Sequence, residues 1–160
     1  MKDARESERV VPLRKASYMA VVRNSVGTRM FRNFYAKVNG KDTDIMRDGD
    51  LSCAFFVSSV LSMFDLVKSV HGTVAGTIRD LEKSGWKEAR TARAGDVIVW
   101  EPMLDERGER HSHIGFALGN GLAVSNASAS GVPVRHSMTF GLRNGRPKRR
   151  ITAMYRAQKL

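Results

Sequence analysis

The sequence predicts an α+β domain: N-terminal helices packed on a C-terminal antiparallel sheet of about five strands. Three observations predict it. Up to about residue 84, apolar side chains recur at every third or fourth position, the period of a helix. From Val97 onward the apolar runs are short, rich in β-branched residues and bounded by Gly, Asn and Asp. Gly119-Asn120-Gly121 then joins two such runs at the spacing of a tight hairpin. Helices first and strands second, with hairpin connections, is the pattern of segregated α and β layers.

Taken in order, residues 1–15 read as a polar basic arm with Pro12 near its end, and residues 16–160 as a single domain. Met19, Val22, Val26, Met30, Phe31, Phe34 and Val38 step by three or four, which predicts one helix over 16–38 or two broken near Gly27. Residues 40–50 read as a loop rich in Asp and Gly. Phe56, Val57, Val60, Leu61, Phe64 and Val67 then define the core-facing stripe of a buried helix. Asp50 and Ser52 both suit its N-cap, so Cys53 falls at or just inside its start. A third helix is predicted over 74–84, capped by Thr73 and stopped by Gly85. Strands follow at 97–100, 112–118, 122–127, 132–136 and 150–156, with a polar loop at 102–110 and an exposed one at 143–149.

Composition narrows the class. The chain has 160 residues, of which 42% are hydrophobic and 27% charged, enough for a real core without disulfides. Its single cysteine forbids an internal disulfide, and neither a metal-ligand spacing nor a cofactor motif is read. No run reaches the ~18 apolar residues of a membrane span. No cleavable signal peptide is visible in the charged first fifteen residues. The net charge of +11 sits mainly at the two ends; residues 135–160 carry 8 basic and no acidic side chains. Basic ends attract an anionic polymer, nucleic acid or a lipid surface, or are simply a solvated face.

The chemistry centres on Cys53. A thiol at a helix start feels the positive end of the helix dipole and free backbone N–H groups, which favour thiolate. The partner base is read at His113, at the start of the strand His113-Ile114-Gly115-Phe116-Ala117-Leu118. Alternation places His113, Gly115 and Ala117 on one face, where two small residues would let the cysteine helix approach. Asn126, on the next strand, offers an acceptor oxygen to hold the imidazole in one orientation. His111 and His136 read as surface groups, and His71 as part of an inter-helix loop.

The segments Gly49-Asp50-Leu51-Ser52-Cys53-Ala54-Phe55-Phe56-Val57, Gly95-Asp96-Val97-Ile98-Val99-Trp100, His113-Ile114-Gly115-Phe116-Ala117-Leu118-Gly119-Asn120-Gly121 and Ala123-Val124-Ser125-Asn126-Ala127 resemble the NlpC-type papain-like cysteine peptidases. The resemblance covers about residues 45–130. It implies a papain-like fold with Cys53 as nucleophile, His113 as general base and Asn126 as the orienting third residue, the Cys53 backbone N–H helping to form the oxyanion hole. It also implies hydrolysis of a peptide or amide bond in a bacterial cell-wall peptide, with no cofactor. Ser52 stands where the family has Asp, and Ala54-Phe55 where it has Ser-Gly, so the nucleophile is kept while the substrate contacts differ.

Two further readings stand beside this one. An acyltransferase or deamidase would use the same three residues and differ only in what accepts the acyl group. A non-catalytic module binding an anionic polymer through its basic ends would use none of them. By its sequence the chain reads as cytoplasmic, whereas wall chemistry would call for the envelope or export by another route.

Overall fold

The structure, a computed structural model, describes residues 9–160; residues 1–8 of the expected arm lie outside the described residues. Three helices, α1 (Arg14–Asn24), α2 (Cys53–Ser62) and α3 (Val74–Lys83), precede most of the strands. The main sheet comprises β3 (Lys87–Glu88), β4 (Val97–Leu104), β5 (Arg110–Gly119), β6 (Leu122–Ala127), β7 (Val132–Ser137) and β10 (Ile151–Arg156). Its order is β3-β10-β4-β5-β6-β7, with antiparallel pairing throughout. The predicted α+β class is therefore what the chain adopts, with six strands where about five were expected. No helix among the described residues is long and apolar enough to cross a membrane.

The helix expected over 16–38 is shorter than its periodicity suggested. Helix α1 begins at Arg14, inside the expected arm, and ends at Asn24; Gly27, at φ +78°, cannot continue it. Residues that continued the apolar period instead form a hairpin, β1 (Tyr35–Val38) and β2 (Lys41–Asp44), turning at Asn39-Gly40 with both residues at positive φ. That is the geometry two-residue hairpin turns demand. Asp44 then fastens the chain that leads to α2. Its carboxylate accepts hydrogen bonds from the amides of Phe34, Met46 and Asp48.

The sheet is buried on both faces by different partners. Val97, Val99, Ile114, Phe116 and Val124 meet Tyr18, Val22, Phe56, Val57, Val60, Leu61 and Leu81 of the three helices. The opposite face carries Ile98, Trp100, Ala117 and Ala123, covered by Met138, Phe140, Ile151 and Met154. Residues 138–150 thus run as a strap across the second face. The Trp100 indole N–H donates to the Met138 carbonyl at 2.7 Å and anchors it. The tip of the strap is a small exposed hairpin, β8 (Leu142–Arg143) with β9 (Arg146–Pro147).

Helix α3 carries an ionised group that ties the helices together. Asp80, 6% exposed, accepts from the amides of Lys68 and Ser69, from the Ser84 hydroxyl and from His71 Nε2 at 2.7 Å. Burial raises its pKa, but these donors outweigh it and hold the carboxyl down at about 2. A carboxylate depressed in the folded state contributes stability that is present above its unfolded pKa and lost as pH falls through the folded value. Between about pH 4.5 and pH 2 the wild-type protein should therefore lose about 2 kcal/mol that Asp80→Asn does not lose, read by urea denaturation at each pH.

Candidate active site

Cys53 is the first residue of α2, as the sequence predicted, with Ser52 in the N-cap position. The cap is one of position only. The Ser52 hydroxyl is buried and makes no hydrogen bond, so it does not cap the first N–H groups of the helix. The amides of Ile114, Ala54 and Cys53 itself are directed at the sulfur and favour thiolate. Burial nevertheless dominates and pushes the thiol above its ordinary pKa. The expected lowering toward neutrality is thus overridden by desolvation, and the resting group is a thiol.

Cys53 and His113 line one cleft of about 1030 Å³, together with Asp50, Arg107, Arg110, His111 and Arg149. They line it from opposite faces of the sheet. Helix α2 packs against the Ile114 and Phe116 face, not the Gly115 face expected from the sequence. His113 lies on the other face at the rim, its ring between Trp100 (centroids 5.5 Å) and Phe140 (5.7 Å). No hydrogen bond joins the ring to the sulfur.

The small residue next to His113 does have a steric purpose, but for a different neighbour. A Cβ on Gly115 would lie 2.5 Å from the Val124 carbonyl oxygen, 2.7 Å from the Ser125 Cβ and 3.1 Å from the Trp100 ring. Gly115 pairs directly with Ser125 across β5 and β6. What the glycine admits is Ser125, whose Oγ lies 2.8 Å from His113 Nε2. Ser125 Oγ also lies 2.7 Å from His136 Nε2, and His136 Nδ1 lies 2.8 Å from the Ser137 carbonyl oxygen.

The direction of this chain follows from its last member. A carbonyl only accepts, so His136 carries its hydrogen on Nδ1 and donates it to Ser137. Burial lowers the His136 pKa, although the Ser137 carbonyl opposes it, so the ring is neutral and its Nε2 is an acceptor. The Ser125 hydroxyl therefore donates to His136 and accepts from His113. His113 is thereby held as the tautomer with hydrogen on Nε2, and Nδ1, which takes no hydrogen bond, is its basic nitrogen. Burial, then the charge of Arg149 and the proximity of His136, lower the His113 pKa to about 3, so this tautomer is neutral at ordinary pH.

Asn126 does not take the orienting role expected for it. Its neighbour Ser125 shares the His113 face, so strand alternation turns Asn126 to the helix side. There its Nδ2 donates to the Gly49 carbonyl at 2.6 Å, and the Ser128 hydroxyl donates to the Asp50 carbonyl at 2.9 Å. Asn126 positions the loop that enters α2, not the imidazole. Close backbone contact supports the same junction: a Cβ on Gly49 would lie 2.5 Å from the Gly131 backbone. Asn126→Ala leaves the Gly49 carbonyl without its donor and should destabilise the fold by about 1–3 kcal/mol in chemical denaturation.

His136, expected on the surface, is half-buried and its ring stacks on Phe140 at 4.0 Å. Arg149, expected in an exposed loop, is brought back by the strap to the cleft. Its Nε donates to the Glu101 carbonyl at 3.0 Å and NH2 to the His111 carbonyl at 2.8 Å. At the outer lip, Asp105, Glu109 and His111 place ligand atoms within 4.8 Å of one another. Their polar atoms are already engaged: Asp105 accepts from two amides of its own loop and approaches His111 at 3.2 Å, and Arg47 pairs with Glu109 at 3.2 Å.

No protein-family model matches this chain, and no curated protein matches it.

Proposed function

We propose that the protein is a cysteine hydrolase of the NlpC-like, papain-like type, cleaving a peptide or amide bond, with a bacterial cell-wall peptide as the substrate. The observation that carries the reading is the directed hydrogen-bond chain from Ser137 through His136 and Ser125, which leaves the lone pair of His113 Nδ1 unshared in a residue that lines the same cleft as Cys53. Nucleophile, base and orienting groups are then Cys53, His113 and the Ser125–His136 pair.

The chemistry balances with these groups alone. His113 Nδ1 takes the thiol proton as the sulfur attacks the carbonyl carbon. The N–H groups at the start of α2 stabilise the oxygen that becomes negative. The imidazolium then protonates the leaving amine, the C–N bond breaks and a thioester remains. Water, deprotonated by His113, attacks the thioester, releasing the acid and restoring the thiol. An amine in place of water would make the same site an acyltransferase, and loss of ammonia from a side-chain amide would make it a deamidase. Incubating purified wall peptides with wild-type and Cys53→Ala protein, followed by mass spectrometry, tests the reading. Cleavage by the wild type alone is the expected result; cleavage by both, or by neither, would remove it.

One observation favours a contribution from anion binding to the same function. Arg143, Arg146 and Lys148 on the strap hairpin are exposed and have no acidic partner among the described residues. Such a patch would hold the protein on an anionic polymer while the cleft works.

A further inference from the structure

Phe140, on the strap, holds a backbone conformation that its side chain disfavours. Its φ is +55°, and among the described residues no other apolar residue besides glycine lies in the left-handed region. A short polar side chain can offset that strain by a local hydrogen bond, whereas a phenyl ring cannot. Such a residue persists where its surroundings over-determine it. Ser137 does so here. Its carbonyl accepts from the Phe140 amide at 2.9 Å and closes a four-residue turn. Its Oγ accepts from the amides of Thr139 at 3.2 Å and Gly141 at 3.1 Å. The returning limb of the strap adds two bonds, from the Lys148 amide to the Gly141 carbonyl and from the Arg149 amide to the Thr139 carbonyl. The Ser137 carbonyl is also the acceptor for His136 Nδ1, so one residue fixes both the phenyl ring and the imidazole it covers.

The phenyl ring stacks on His136 with centroids 4.0 Å and planes 21° apart, and meets His113 at 5.7 Å and Trp100 at 5.3 Å. Trp100 in turn lies 5.5 Å from His113 and 5.7 Å from His136. Both imidazoles therefore pack on the same two aromatic rings, with Ser125 Oγ bridging their Nε2 atoms. We propose that Phe140 is a positioning residue for His113: the turn at Ser137 sustains a strained backbone so that the phenyl ring keeps water from the His136–Ser125–His113 chain and preserves its direction. Water at Ser125 would give the hydroxyl other partners, and it would cease to point at His136 alone. As a statement about the reaction this rests on the hydrolase reading, but the hold on the two histidines can be tested without turnover. The charges that reach the pair are Arg149 on the strap and each imidazole on the other; Cys53 lies across the cleft, and Glu101 is bound by Arg150. Substitution at Phe140 alters none of them, so a shift in titration reads the loss of the ring.

Long-range nitrogen–proton spectra of the free protein, recorded across pH, test this. In the wild type His113 should stay neutral down to about pH 3 with its hydrogen on Nε2, and His136 should titrate below the ordinary imidazole range. Phe140→Gly relieves the backbone and removes the ring. Both histidines should then titrate higher by about one pH unit or more, because water reaches them, and His113 should show a mixture of tautomers. Phe140→Leu, which keeps apolar bulk for folding, should shift both in the same direction by less. Phe140→Tyr, which keeps the ring, should match the wild type. In peptide cleavage, Phe140→Gly should lower kcat about tenfold at unchanged KM, with the acid limb of the pH profile moved upward by the same amount as His113. A lowered thermal midpoint with both titrations and the His113 tautomer unchanged in the Gly and Leu variants would overturn the proposal and leave Phe140 as packing alone. If wall peptides stay uncut by the wild type while the titrations respond, the hydrolase reading falls and the hold of Phe140 on the histidines stands.

Discussion

Replacing Cys53 by Ala is expected to lower cleavage of a susceptible peptide by at least about a thousandfold while leaving the fold in place. Nothing else on the cleft has a comparable nucleophile, and removal of a catalytic nucleophile elsewhere costs between three and six orders of magnitude. The substitution takes away one sulfur atom at a partly buried helix start, so the thermal midpoint should move by no more than a few degrees. The resting ionisation gives a second, independent expectation. Burial keeps the sulfur protonated above the ordinary thiol range and keeps the imidazole neutral down to about pH 3. Alkylation of the free protein by iodoacetamide should therefore still be accelerating at pH 9 rather than levelling off near neutrality. A labelling rate already flat at pH 7 would mean that a thiolate–imidazolium pair forms at rest and that desolvation does not control this sulfur.

Some parts of this arrangement were legible in the sequence and others were not, and the difference is physical. The α2 start was legible because a dense apolar stripe follows two residues suited to capping. The hairpin at Gly119-Asn120-Gly121 was legible because positive φ at consecutive positions selects those residue types. The same signal at Asn39-Gly40 marks the β1–β2 hairpin, but apolar residues at helical spacing mask it. Beyond α1, Val26, Met30, Phe34 and Val38 of that series are exposed and only Phe31 is buried, so their period reports no continuous buried face.

At the site, Cys53 was legible as a residue because it opens α2, and His113 because it precedes an alternating apolar run, although β5 itself begins three residues earlier at Arg110. Their supporting cast was not. One residue of register separates Ser125 from Asn126, and that residue decides which face of the sheet the side chain joins. His136 reaches the site only because Ala123 pairs with it across the next ladder, and Arg149 only because a strap of irregular chain returns it to the cleft. Pairing register and loop path are set by packing between distant segments, so no local pattern encodes them. Gly115 carried half of the message: its missing side chain signalled a close approach, and the structure identifies the approaching group as Ser125.

Breaking the hydrogen-bond chain at either link is expected to cost about a hundredfold in kcat with little change in KM, because in the proposed mechanism Ser125 and His136 orient the base His113 without touching substrate. Ser125→Ala removes both the acceptor for His113 Nε2–H and the donor to His136 Nε2. His136→Phe keeps the stacking against Phe140 but removes the acceptor that fixes the direction of the Ser125 hydroxyl. The hydroxyl is then free to donate to His113 Nε2, which would move the imidazole hydrogen to Nδ1 and eliminate the base. Long-range nitrogen–proton spectra read this directly: wild-type His113 should carry its hydrogen on Nε2, and both variants should show the other tautomer or a mixture. His136→Gln, which can still offer an oxygen to the serine, should recover part of the activity and the wild-type tautomer. Asn126→Ala provides the contrast, since it loosens the loop before Cys53 and lowers stability without touching the chain. Its His113 tautomer should remain that of the wild type. If Ser125→Ala and Asn126→Ala gave the same loss in kcat and the same spectrum, the effect of Ser125 would be structural, and the orientation of His113 would have to come from its packing between Trp100 and Phe140 alone.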